Sequence, residues 1–187
     1  MAEPSFRTLR LLIALIAALA LTASCSSGPD DKSAGTATPA TTAGAPSPTK
    51  TAAPLDLQQL LTKADVEAIL GKQVAHPTTS NAGGTVFTCN YMAKDSSSLN
   101  MFARVSPDSA AARRLFEQAQ AMSKNLSKTD PEPIAGLGDL AYWTGGDLNQ
   151  LNVLKGRYWI IFSAPFAKEQ AQELTQKAAT LVMQRLP

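Results

Sequence analysis

Apolar residues recur at helical spacing in three stretches of the C-terminal two thirds of the chain. The first stretch begins at Thr62, a residue type that caps helix N-termini, and ends at Gly71, a type that follows helix C-termini. Asp65 stands three residues after Thr62 and makes a relative of the capping box. The pattern predicts a short helix between Thr62 and Gly71, preceded by a leucine-rich turn over residues 57–61.

Two longer helices follow. The second begins at Ser106-Pro107-Asp108, with Ser106 as the N-cap, and ends near Leu126. Its apolar face consists of Ala111, Leu115, Phe116, Ala119 and Met122. The third extends from about Ala167 to Arg185, and its apolar face consists of Ala171, Leu174, Ala178, Leu181 and Val182. Both patterns are those of helices with one face on a core and the other in solvent.

Five segments between the helices have the composition of β-strands, and short turn sequences separate neighbouring strands. The segments are Val86–Met92, Ser98–Val105, Leu140–Thr144, Gln150–Lys155 and Tyr158–Ser163. Helices separated by meandering strands predict the α+β fold class with an antiparallel sheet of about five strands.

A strand, a short turn that contains proline and a long helix occur in this order twice, around Ser106-Pro107 and around Ser163-Ala164-Pro165. If the two halves are related, both long helices should lie on the same face of the sheet. We therefore expect two long helices on one face, together with the short N-terminal helix.

The segment Tyr158–Phe162 is apolar at every position, so both faces of this strand need cover. One interpretation is a central strand that is covered by helices on one side and by a loop or the first helix on the other. The other is that Trp159, with Tyr142 or Trp143 on a neighbouring strand, lines an apolar cleft that binds a ligand or a partner. The sequence leaves both interpretations open.

The N-terminus has the pattern of a signal peptide. Arg7 and Arg10 precede the apolar run Leu11–Leu21, which has 11 residues and is too short for a comfortable membrane span. The small residues that follow end at Ser24-Cys25, which resembles a bacterial lipobox. An ordinary secretory signal in which Cys25 is incidental is the alternative.

The lipobox resemblance implies that a diacylglycerol is attached to Cys25 and that residues 1–24 are removed. The expected location is extracytoplasmic, with the protein lipid-anchored to the cell membrane, or to the outer membrane if the host has one. Residues 26–54 contain 25 Ala, Gly, Pro, Ser or Thr residues among 29, which predicts that 25–54 form a lipidated cysteine and a disordered linker. Residues 55–187 are then a single globular domain.

Charge and cysteine content exclude some functions. Removal of Arg7, Arg10 and Glu3 with the signal peptide lowers the formal net charge from +2 to +1, so no basic face for nucleic acid is expected. Lipidation of Cys25 leaves Cys89 without a partner in the chain. Cys89 is then either a small buried residue or a reactive thiol, and burial is the simpler interpretation.

No catalytic motif is present. His76 is the only histidine and precedes Pro77 in a polar stretch, where a surface loop is a simpler interpretation than a Cys–His pair with Cys89. One histidine and one free cysteine cannot make a zinc site, and no calcium-loop motif occurs. We expect no catalytic residues, no metal and no cofactor. The glycines of Gly136-Leu137-Gly138-Asp139 have the pattern of a tight entry to a strand, with Asp139 as a turn cap.

Three groups of residues resemble small envelope lipoproteins of unknown function that are frequent in mycobacteria and other high-GC bacteria. They are 61–66 with 69–71, Cys89-Asn90-Tyr91, and 136–142 with 151–156. The resemblance covers nearly all of the domain, but it implies no activity and no catalytic residues. Members often carry a second cysteine that can pair with the one at Cys89, and this chain has none.

Three functions follow as expectations. The first is a non-enzymatic binding module for a small apolar ligand, a glycan or an envelope component. The second is an interaction or assembly factor that docks an envelope protein complex. The third, the least favoured, is an unrecognised enzyme. The expected partners are the membrane, through Cys25, and a ligand or envelope protein, and the domain is expected to be a monomer.

Overall fold

Four helices and seven strands make up residues 55–187, the part of the chain that the computed structural model describes. The predicted signal peptide, the lipidation site and the linker lie outside the described residues. In chain order the elements are α1 Leu57–Leu60, α2 Lys63–Leu70, β1 Thr78–Ala82, β2 Val86–Met92, β3 Ser98–Val105, α3 Ser109–Ser127, β4 Glu132–Pro133, β5 Leu140–Thr144, β6 Gln150–Lys155, β7 Tyr158–Ser163 and α4 Lys168–Arg185. Among these helices none is long and apolar enough to cross a membrane.

Local sequence explains where the helices begin and end. Thr62 and Asp65 form the predicted capping box of α2, and Gly71 ends the helix with a left-handed φ of 65°. The N-cap of α3 is Asp108, which accepts a hydrogen bond from Ala111 N, rather than the predicted Ser106. Ser106 is instead buried, and its amide donates to the carbonyl oxygen of Arg157, just before β7.

One antiparallel sheet contains all seven strands in the order β1-β2-β3-β7-β6-β5-β4. The predicted α+β class is therefore confirmed, and the five predicted strands occur with the predicted bounds. The number of strands was wrong, because β1 and β4 form the two edges of the sheet. All five side chains of β1 are polar or small and exposed, and β4 has only two residues, so neither strand has an apolar pattern.

The two long helices lie on opposite faces of the sheet, which corrects the prediction that both lie on one face. Helix α4 packs with α1 and α2 against a main core that includes Ile160, whereas α3 packs against a smaller cluster that includes Trp159. Since Ile160 and Trp159 are neighbours in β7, their side chains point to opposite faces. The central strand β7 thus has α4 on one face and, at Trp159, α3 on the other. The interpretation of a buried central strand expected a loop or the first helix on that second face.

Candidate functional site

Two of the three aromatic side chains suggested as a binding wall are fully buried. Tyr142 is 1 % exposed and Trp143 is 0 % exposed. As neighbours in β5 they point to opposite faces: Trp143 lies in the main core, and Tyr142 lies beneath α3. Burial raises the pKa of the Tyr142 hydroxyl above its usual value. Neither side chain is accessible to a ligand in this structure.

Trp159 is half-buried and belongs to the cluster beneath α3. Its Nε1 donates to Asn152 Oδ1 at 3.2 Å, and its ring lies edge-on to Phe116 with the centroids 6.3 Å apart. Phe116 also packs edge-on against Tyr142 at 5.0 Å. The structure therefore brings Tyr142 and Trp159 together through Phe116, as part of a small core, and leaves Trp143 on the other face.

Cys89 is a buried core residue rather than a reactive thiol. The thiol is 1 % exposed, within the main core, and burial raises its pKa. The exposed His76 lies outside the core in the loop before β1, so it does not share this environment. In residues 55–187 no group of three or more metal-ligating side chains occurs. Cys89 thus has the environment of an inert packing residue.

We expect the Cys89 thiol of the folded domain to resist modification. An aromatic disulfide reagent at pH 8 should label a Cys25→Ser chain at least about a hundredfold more slowly than it labels the same chain in 6 M urea, because only exposed thiolate reacts. The control is Gln118→Cys in the same background, which adds a thiol at an exposed position of α3. Equal labelling rates at Cys89 and at position 118 in the folded protein would contradict this assignment.

One half of the sheet has a face without a helix over it in the described part of the chain. Helix α3 packs mainly over β5, β6 and β7, while α1, α2 and α4 lie on the opposite face. The uncovered surface, which we call the open face, consists of Val86, Thr88, Asn90, Asn100, Phe102, Arg104 and Ile161. Val86, Phe102 and Ile161 are half-buried and belong to neither apolar cluster.

The open face is rich in uncharged polar groups. The Asn90 amide donates to Asn100 Oδ1 across β2 and β3, and Thr88 shares a 2.7 Å hydrogen bond with Ser80 on β1. Phe102 lies opposite both Thr88 and Ile161 in the ladder. Arg104 is the single charged residue of this surface. The arrangement places amide and hydroxyl groups around one aromatic ring.

One row of apolar side chains on α3 belongs to neither apolar cluster. Ala112, Phe116, Ser123 and Ser127 face the sheet, whereas Met122 and Leu126 are 58 % and 53 % exposed. The apolar face predicted from the sequence is therefore rotated away from the face that packs. We call the row Leu115, Ala119, Met122 and Leu126 the apolar flank of α3.

Handedness places the apolar flank on the side of the open face. Consider the sheet seen from the open face, with β2 running upward. The open-face residues of β2 form non-hydrogen-bonded pairs with β3, so their backbone N–H and C=O groups point away from β3. For L-residues whose side chains point at the viewer these groups point to the right, so β3 lies to the left of β2. Helix α3 then runs upward over β7, β6 and β5, to the left of β3. The residues of the apolar flank come about one position before those that face the sheet. In a right-handed helix that runs upward they therefore lie on the right of the helix, which is the side nearer to β3 and the open face.

Two open depressions lie elsewhere on the domain. One is lined by Lys72, Lys94 and Asp95, and the other lies between α2 and α4 beside Asp65. Lys72 Nζ lies 2.6 Å from Asp95 Oδ2 in the first depression, and Asp65 is paired with Arg185 beside the second. Both depressions are therefore lined in part by charged side chains, whereas Arg104 is the single charged residue of the open face.

Sequence reasoning missed the open face. The available signal was the alternation in β2 and β3, where Thr88, Asn90 and Asn100 fall on one face and apolar residues on the other. Comparisons of the chain with protein-family models, with curated proteins and with solved structures give no match. The candidate site therefore rests on its geometry.

Proposed function

We propose that this protein is a membrane-anchored extracytoplasmic lipoprotein whose domain is a non-enzymatic binding module. The lipid is attached to Cys25, and the linker holds the domain away from the membrane. The ligand is an envelope amphiphile with a neutral, hydroxyl-rich head and an apolar segment, as in a glycolipid. The open face is the observation that carries the proposal.

The chemistry of the open face suits a neutral polyhydroxylated head. Amide side chains such as Asn90 and Asn100 donate and accept hydrogen bonds at once, as sugar hydroxyls do. The ring of Phe102 offers an apolar plane for the C–H face of a sugar. With Arg104 as its single charge, the surface lacks the cluster of cations that a strongly anionic ligand requires.

The apolar flank suits the other part of such a ligand. Met122 and Leu126 expose more than half of their surface, and methionine adapts its shape to varied partners. An alkyl chain laid along the flank would remove this surface from water at about 25 cal/mol per Å². The open face and the apolar flank together therefore match an amphiphile better than a purely polar sugar.

Titration with n-dodecyl-β-D-maltoside below its micellar concentration tests the proposal. A Cys25→Ser chain without the signal peptide should show amide NMR shifts at Asn90, Asn100 and Ile161. Maltose alone should bind more weakly, since it lacks the alkyl chain. Phe102→Ala should raise the Kd about tenfold, the effect of a side chain central to a binding surface.

Phe166→Ala is the matched control, since Phe166 is also half-buried but packs against the main core on the other side of the sheet. It should leave the Kd unchanged. Amide shifts confined to other surfaces would rule out the open face as the binding site. Equal affinities of the Cys25→Ser chain, Phe102→Ala and Phe166→Ala for the maltoside would do the same.

A second candidate, docking of an envelope protein complex, is favoured by the exposed Met122 and Leu126, because exposed apolar patches often mark protein interfaces. Stoichiometric co-purification of one envelope protein, lost on Met122→Glu, would select this function in place of glycolipid binding.

A further inference from the structure

The two edges of the sheet differ in how they are protected against pairing with another strand. Edge strand β4 has two residues, one of which is Pro133, and Glu132 is held by Lys168 Nζ at 2.6 Å. Edge strand β1 has five residues with no proline and no charge, and all of its side chains are exposed. Natural edge strands are usually blunted by proline, charge or short length. Only β4 follows this rule.

The absence of charge extends well beyond β1 itself. Residues 73–93, which include β1 and β2, contain no Asp, Glu, Lys or Arg. Unprotected edge strands are templates for a further strand because their outward N–H and C=O groups lack partners. The β1 edge therefore has the features of a pairing surface.

The ladder shows which backbone groups of β1 point outward. Val105 N donates to Thr85 O at 2.8 Å, and Ala93 N donates to Ser97 O at 2.8 Å, so these are hydrogen-bonded pairs between β2 and β3. By alternation, Thr88 bonds to the other neighbour, β1, where it pairs with Ser80. The backbone groups of Ser80 thus point inward, and those of Thr79 and Asn81 point outward.

Thr79 and Asn81 are placed symmetrically about Ser80. An antiparallel strand related by a two-fold axis at Ser80 would set Thr79 opposite Asn81 of the partner subunit, and Asn81 opposite Thr79 of the partner subunit. Each pair exchanges two N–H···O=C bonds, so all four outward donors and acceptors of each strand are used. We propose that the β1 edge pairs with the β1 edge of a second copy of this chain.

Such pairing makes an isologous dimer with one continuous sheet. Side chains at the junction are small and uncharged, with Ser80 facing Ser80 of the partner subunit, so no like charges meet. A two-fold axis at right angles to the sheet keeps both open faces on the same side. The dimer therefore presents two copies of the open face as one surface.

Disulfide trapping in membranes tests the pairing with the full chain. Ser80→Cys places two thiols at a non-hydrogen-bonded pair on the axis, where the Cβ atoms are about 4.5–5.5 Å apart. Mild oxidation by copper phenanthroline and oxygen, which accept the two electrons and two protons of the thiols, should give a covalent dimer. Gln118→Cys, exposed on α3, should give at least about tenfold less dimer.

Thr79→Pro provides the sharper variant. Proline removes an outward N–H that β2 does not use, so the domain should keep its circular dichroism spectrum and Tm. The change deletes two of the four intermolecular bonds, and the yield of Ser80→Cys dimer should fall about tenfold. Thr79→Ala keeps the N–H and should retain the full yield.

Three outcomes would overturn the proposal. The first is a Ser80→Cys yield no greater than that of Gln118→Cys. The second is an undiminished yield with Thr79→Pro in a folded domain. The third is an equal loss with Thr79→Ala and Thr79→Pro, which would show that the side chain rather than the backbone makes the contact.

Discussion

Gly138→Ala should lower the free energy of unfolding by about 3 kcal/mol. Gly138 has a left-handed φ of 59°, which costs an alanine about 1 kcal/mol. An added Cβ would also lie against the carbonyl oxygen of Leu154 and 2.9 Å from Val153 Cγ1. That carbonyl accepts a hydrogen bond from Asp139 N at 2.7 Å, so it cannot retreat without loss. Overpacking of this kind typically costs a further 1–3 kcal/mol, so we expect about 2 kcal/mol from the contact with Leu154.

Gly136→Ala is the matched control, two residues away in the same turn. Gly136 has a left-handed φ of 78°, but an added Cβ would meet nothing within 4 Å. Only the conformational cost remains, so the loss should be about 1 kcal/mol. Urea unfolding followed by tryptophan fluorescence measures both values. Equal losses for the two variants would show that the close approach at Leu154 does not limit this turn.

The same turn shows how much of the fold local sequence could predict. Asp139 was expected to cap backbone amides, and its Oδ2 accepts from Gly156 N at 2.7 Å. The five apolar strands were also predictable, because their patterns end at turn residues with a physical role. Gly156, for example, takes the left-handed φ of 55° that a two-residue turn after β6 requires.

The edges of the sheet and the faces of the helices were not predictable in the same way. Strand β1 exists because it pairs with β2, and pairing through the backbone leaves no apolar signature in Thr78–Ala82. Helix α3 lies on the face of the sheet that carries Tyr142 and Trp159, because α4 packs on the other face and leaves these two side chains to be buried by α3. Sequence periodicity gives the width of an apolar face but not the element that covers it.

The candidate site shows the same limit. The sequence drew attention to Trp143 and Tyr142 because aromatic residues often line ligand sites, but large aromatic residues also fill cores. Their adjacency in one strand was enough to predict opposite faces. The open face required the topology, since β3 and β7 are far apart in sequence and Phe102 and Ile161 meet only across their ladder.

Asp65→Ala should cost about 2–3 kcal/mol at pH 7, much more than the loss of an ordinary cap. Asp65 Oδ2 accepts from Thr62 N at 2.8 Å and from Thr62 Oγ1 at 2.7 Å, which completes the capping box of α2. The same carboxylate accepts from the Arg185 guanidinium of α4, with Nη2 at 3.1 Å from Oδ1. Arg185 Nη1 also donates to Leu60 O at 3.0 Å. One side chain therefore joins α2 to the end of the last helix.

The cost of Asp65→Ala should shrink in acid. The hydrogen bond and charge of Arg185, and the hydrogen bonds of Thr62, hold the pKa of Asp65 well below its ordinary value of 3.8, against a smaller effect of burial. With a lower pKa in the folded state, the unfolded state takes up the proton first as the pH falls. The stabilisation is complete well above pH 3.8 and decreases progressively below it. Urea unfolding at pH 7, 5, 3.5 and 2.5 measures the difference between the two proteins.

Asp108→Ala separates the ion pair from simple capping. Asp108 caps α3 through a 2.7 Å bond from Ala111 N, and its side chain is exposed, so its loss should cost about 1 kcal/mol at pH 7. Arg185→Gln should reproduce part of the Asp65→Ala loss, because it removes the charged partner and leaves the capping box in place. If Asp65→Ala cost no more than Asp108→Ala at pH 7, or if its cost were the same at pH 2.5, the link between α2 and α4 would contribute nothing beyond a helix cap. Because Asp65 and Arg185 lie 120 residues apart, a large pH-dependent cost would instead mean that this contact closes the domain by holding α2 and α4 together.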